Sequence, residues 1–144
     1  MLLLCPLCSF ADFEVKIPCD TDQSIEQNLG KKIRFYSSLQ AFSNDKPRCI
    51  LHEAIINAEE VERAELENDP ITNDMIVNIV FSDSAREKFH HYTKEHIGEP
   101  IALMIEGMIL TIPTIQAPIE NGLMQIHGLW YEDAVRLARS INQK

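Results

Sequence analysis

Residues 93–128 read TKEHIGEPIALMIEGMILTIPTIQAPIENGLMQIHG, and the fold turns on how this stretch is read. Two short apolar runs, Ile101 to Ile105 and Met108 to Ile112, are separated only by Glu106-Gly107. A two-residue link ending in glycine fits a tight hairpin that needs positive φ, so the runs are predicted to pair as antiparallel strands. Gly98 suits the position just past a helix end, and Gly122 a turn after Asn121. Upstream, Met75, Val77, Ile79 and Phe81 share one strand face while Ile76 and Val80 share the other, so both faces are apolar. Ser82 is a natural N-cap for a helix ending before Gly98, with Ala85, Phe89, Tyr92 and His96 on one stripe. Downstream, Ala134, Leu137, Ala138 and Ile141 recur at helical spacing and predict a closing helix with Arg136 and Arg139 near its polar side. Two helices packed with a small, mostly antiparallel sheet give a two-layer α+β sandwich.

The order of these residues resembles the head subdomain of the first periplasmic domain of SecD, the accessory subunit of the bacterial Sec protein-export machine. Thr93, Gly98, Ile101-Ala102, Gly107, Pro113, Ile115, Ile119, Gly122, Ile126, Gly128 and then Ala134, Leu137 and Ala138 carry the resemblance. The chain departs from the family pattern at Glu106, where Asp is usual, at Asn121, where Gly is usual, and at Trp130-Tyr131, where a Thr cap is usual. These departures touch turns and a cap and leave the apolar frame intact. The resemblance implies a non-enzymatic domain that binds protein during export, either translocating or unfolded polypeptide or an envelope component, without a cofactor. The family's proton-coupled step is not implied, because the ionisable membrane spans that perform it have no counterpart in these 144 residues.

A chain of 144 residues is expected to form a head-like domain over residues 71–144 preceded by an N-terminal annex over residues 12–70. The 13 Lys and Arg against 22 Asp and Glu give a net charge of −9, and the cations are scattered, which argues against nucleic-acid or anionic-membrane binding. No run approaches the roughly 18 apolar residues of a membrane span, so the chain as given is expected to be soluble. Residues 1–11, MLLLCPLCSFA, end in Ser9-Phe10-Ala11, with small residues at the −3 and −1 places of a signal-peptidase site. The block reads as a truncated signal peptide, and hence as a mark of a periplasmic or envelope-associated protein. A buried N-terminal strand or a mis-chosen start stays open because no Lys or Arg precedes the block, and a true start at Met1 without cleavage would make the protein cytoplasmic.

Cys5 and Cys8 form C-P-L-C, but four residues before Cys5 cannot supply the strand of a thioredoxin-like pair. Cys19 and Cys49 are isolated, whereas structural zinc sites generally come as two close pairs, so the first two thiols read as incidental to an apolar leader. If that leader is removed after Ala11, Cys19 and Cys49 remain in an oxidising compartment and are expected to form a disulfide between neighbouring strands. In a cytosolic protein they would be two separate buried thiols.

Within the annex, Asp12 to Ile17 reads as a strand stopped by Pro18, Thr21 to Leu29 as a short helix or turn, and Ile33 to Ser37 and Arg48 to His52 as strands. Ser43 to Pro47 reads as a loop. Glu59 to Leu66 is helix-forming by composition and is ended by Asn68-Asp69-Pro70, where annex and head are expected to join.

The spacing of His90, His91 and His96 does not suit a shared metal ion, because paired helical ligands stand at i and i+4. No nucleophile elbow and no phosphate loop accompanies any Ser, Cys or Lys. More informative is the apolar surplus: Ala102, Met104 and Ile109, and also Leu103, Leu110 and Ile112, put apolar side chains on opposite sheet faces. Either the annex covers the second face, or part of it is an adaptable surface for unfolded polypeptide, with Met104, Met108 and Met124 joined by Ile115 and Ile119. Gly98, Gly107, Pro113, Gly122 and Gly128 are expected to serve as structural turns. A small periplasmic enzyme or metal-binding protein on the same fold, or a degenerate structural fragment, are the rival readings.

Overall fold

The computed structural model describes residues 13–19, 32–36 and 48–143. The leader with Cys5 and Cys8, the helix or turn expected over residues 21–29 and the loop over residues 43–47 lie outside the described residues. The elements are β1 (Glu14–Pro18), β2 (Ile33–Tyr36), β3 (Arg48–Ile56), β4 (Val61–Asn68), β5 (Met75–Phe81), α1 (Asp83–Glu95), β6 (Ala102–Ile105), β7 (Met108–Thr111), β8 (Leu123–Ile126) and α2 (Tyr131–Asn142). Strands run in the order β2-β3-β1-β6-β7 in one sheet and β4-β5-β8 in the other, and every pairing is antiparallel. The chain is thus α+β as expected, with the strands divided between two sheets.

Alternation explains how one core forms from both sheets. Phe13 and Val15 beside β6 residues Leu103 and Ile105 supply one inner face; Val77, Ile79 and Phe81 beside Met124 and Ile126 supply the other. Helix α1 adds Ala85 and Phe89, whose ring meets Phe81 edge-on at 5.1 Å, and α2 adds Ala134, Leu137, Ala138 and Ile141. Ser82 caps α1 as expected, its hydroxyl accepting from the Ala85 N–H at 3.4 Å. The opposite face of the larger sheet carries a second cluster of Ile50, Ala102, Met104 and Ile109, with Ile112 against it.

One expectation needs correction. Glu59 to Leu66 is not a helix: a short 3-10 turn, Ala58–Glu60, leads into strand β4. Glu, Ala, Arg and Leu favour helix locally, but pairing with the apolar β5 over nearly its whole length outweighs that weak preference, and β4 points most of its charged residues outward at a sheet edge. Pro70 lies in the β4–β5 hairpin, where the Asp69 carboxylate accepts from the Ile71 N–H at 2.8 Å, which holds its pKa below the usual value. The division expected near Pro70 therefore falls inside a hairpin, and β1 lies between β3 and β6, so both sides of it share sheets and core.

Candidate functional site

The connection from β7 to β8, residues 112–122, crosses from one sheet to the other and is held in place from the helix side. The Ile101 N–H donates to the Pro113 carbonyl at 2.9 Å, the Ile115 N–H to Glu99 at 2.9 Å, and the Gly98 N–H returns a bond to Ile115 at 2.8 Å. Further along, the Ile119 N–H donates to Thr93 Oγ1 at 2.9 Å. Thr93 is fully buried on α1, and its own hydroxyl proton points to the Phe89 carbonyl at 2.9 Å or the His90 carbonyl at 3.2 Å. A threonine inside a helix ordinarily satisfies its hydroxyl on the preceding turn; here the oxygen also fastens the loop. The loop closes at Gly122, whose carbonyl accepts from the Phe81 N–H at 2.9 Å. Gly122 has a φ of +67°, and a Cβ there would stand 2.9 Å from the Arg86 side chain, so glycine serves both turn and packing.

Held this way, the loop walls a cleft of about 770 Å³ with residues of β6, β7 and β8. Its floor is apolar, built from Ile101, Leu103, Ile115, Met124 and Ile126, and Ile119, Pro118 and Leu123 form its partly buried sides. Gln116, Glu120, Asn121, Gln125 and His127 supply the polar rim. β7 ends one sheet and β8 ends the other, and no further strand pairs with either among the described residues. The arrangement can receive an extended chain, offering backbone hydrogen bonds at a strand edge and apolar contact beneath it.

Of the residues expected to contact polypeptide, Ile115, Ile119 and Met124 come together around this cleft. Met104 does not: it is 1 % exposed and packed with Ile50, Ala102 and Ile109 on the far face of the larger sheet. Covered in this way, Met104 cannot act as surface while that cluster stays closed. Met108 is half-buried at the start of β7 and lies outside the cleft. Gly107 and Glu106 make the hairpin turn, with φ of +74° and +51°, and the Glu106 carboxylate pairs with Arg136 of α2. That hydrogen-bonded pair raises the Arg136 pKa, tying the hairpin to the closing helix. Gly98 and Gly128 also take positive φ, and Pro113 stands at the loop's start.

The histidines are dispersed along α1 rather than gathered. His90 faces Glu120 at 3.9 Å, His91 faces Glu95 at 3.5 Å, and His96 stacks on Tyr92 at 4.0 Å. Burial pushes the Tyr92 hydroxyl up to about 12. No group of three or more His, Cys, Asp or Glu able to hold a metal ion occurs among the described residues. No described helix is long and apolar enough to cross a membrane. Cys19 and Cys49 are joined as a disulfide, their Cα atoms 5.2 Å apart. Thr93 stood out in the sequence only as part of the family resemblance, and its role as the loop's anchor was not read; the available signal was a hydroxyl one position beside the apolar stripe of α1.

A family model for the SecDF P1 head subdomain matches residues 34–143. SecD of Thermobaculum terrenum is 30% identical over 87 residues, 60% of this chain and 17% of that protein. SecD of Rhodobacter capsulatus is 41% identical over 63 residues, 43% of this chain and 11% of that protein. The chain therefore spans less than a fifth of the length of these relatives. Among solved structures, a SecDF described as a membrane component that enhances protein export superposes with a TM-score of 0.64 at 21% identity, covering 92% of this chain and 62% of that one. SecDF from Thermus thermophilus gives a TM-score of 0.58 at 20% identity, covering 92% of this chain and 20% of that one. At such identities these superpositions speak for the fold.

Proposed function

Because the chain belongs to the SecDF P1 head subdomain family, we propose that it takes part in protein export by holding extended or unfolded polypeptide in the cleft beneath the β7–β8 loop. The single observation that carries this reading is the meeting of an apolar floor with two terminal strands. Apolar side chains give sequence-tolerant affinity, and a strand edge recognises any backbone, which together suit a partner of varied sequence. Met124 adds an adaptable thioether to that floor. A role in export would put the domain on the periplasmic side of the envelope, acting as part of, or beside, a translocase.

Reduced and carboxymethylated α-lactalbumin, a permanently unfolded chain, provides the test. Fluorescently labelled, it should bind the protein, and Ile119→Asp and Leu123→Asp should each weaken binding about tenfold or more, since a carboxylate would then be desolvated in the cleft. Both variants should keep the parent's far-UV circular dichroism. Burial-driven binding should also persist at high salt. Absent binding by the parent, or equal binding by both folded variants, overturns the reading.

A further inference from the structure

Among the described residues the smaller sheet ends at β4, and one residue far along the chain occupies that end. In an antiparallel pair each residue turns its backbone N–H and C=O either toward the neighbouring strand or away from it. Those of Ala64, which stands opposite Ile79 of β5, turn outward, and Asn142 meets both. Its Oδ1 accepts from the Ala64 N–H at 2.9 Å and its Nδ2 donates to the Ala64 carbonyl at 2.8 Å. A primary amide carries the same donor and acceptor as a peptide group, so Asn142 makes the two bonds that a residue of a further strand would make. The helix sets it there: α2 packs on β4 through Ala138 and Ile141, and Asn142, one turn beyond Ala138 and next to Ile141, stands on the flank of that buried stripe.

Without that amide the β4 edge is self-complementary. Arg63 and Glu65 flank Ala64 on the outer face of the sheet, opposite Val80 and Asn78, and both are exposed, with Arg63 Nε donating to the Glu65 carboxylate at 2.8 Å. In a two-fold antiparallel pairing centred on Ala64, the Ala64 residues of two copies exchange both hydrogen bonds, and Arg63 of each copy stands opposite Glu65 of the other. Charged side chains ordinarily blunt a sheet edge; here their order favours the register that the outward backbone groups of Ala64 demand, which leaves the blocking to Asn142. We propose that Asn142 closes the β4 edge against pairing with a second copy of this chain, and that its loss turns β4 into a homodimer interface.

Sedimentation velocity of the chain against its Asn142→Gly variant tests this, since glycine removes the amide and loosens the last turn of α2. The parent should stay monomeric, and the variant, with the parent's far-UV circular dichroism, should dimerise at least about tenfold more tightly than the parent. Amide exchange at Ala64 should be fast in the dilute variant and slow again in its dimer. Adding Arg63→Glu to Asn142→Gly should abolish the dimer by setting like charges opposite each other. Adding Glu65→Arg as well should restore it, because exchanging the two charges keeps the edge self-complementary. If Asn142→Gly does not fold, Asn142→Ala, which keeps the helix, decides in its place. A merely structural bond would lower stability without producing a dimer. A folded variant that stays monomeric, a parent that dimerises equally, or a dimer indifferent to Arg63→Glu overturns the proposal.

Discussion

Gly107 takes a φ of +74° directly after Glu106 at +51°, the backbone of a two-residue turn whose twist matches the strands it joins. Nothing lies within 4 Å of a Cβ placed on Gly107, so a substitution there meets strain and no clash. Gly107→Val should lower stability by about 1 to 3 kcal/mol, read from chemical denaturation, and parent-like melting would contradict the turn. Thr93 is a second decisive residue. Thr93→Val keeps the shape but leaves the Ile119 N–H without its acceptor, which should cost about 1 to 3 kcal/mol. It should also weaken polypeptide binding by releasing the loop, and Thr93→Ser should restore both properties. A valine variant indistinguishable from the parent would remove Thr93 from the site.

Among the elements, α2 shows local and tertiary preference in partial conflict. Its four buried positions follow the helical repeat, yet its N-cap is Trp130, which makes no side-chain hydrogen bond to the first turn. Trp130 is 67 % exposed and already has an extended backbone suited to a cap. Trp130→Ser should therefore raise stability by about 0.5 to 1 kcal/mol in thermal or urea unfolding. A loss instead would mean that the indole packs more than its exposure indicates. β4 shows the opposite balance, because residues that favour helix became a strand once β5 offered a full-length partner. Periodicity is read reliably where one face is uniformly apolar, as in α2 and β5, and poorly in a charged edge strand such as β4.

At the scale of the whole molecule, the Cys19–Cys49 bridge closes a loop with a sequence separation of 30 and holds the N-terminal strand to the sheet. Cys49→Ser should lower stability by about 3 to 4 kcal/mol if chain entropy dominates, an effect measurable as a fall in the denaturation midpoint. Unchanged stability would show that the bridge does not form in solution. The hairpin about Gly107, the Ser82 cap, the stripe of α2 and the α+β class were legible in sequence because each depends on residues close together in the chain. The candidate cleft was legible only in part: Ile115, Ile119 and Met124 line it, whereas Met104 is buried on the far face of the larger sheet. Alternation tells that two residues face opposite ways, but not which face is covered. That was decided by where β1 inserts, between β3 and the distant β6, and burial depends on such long-range pairing.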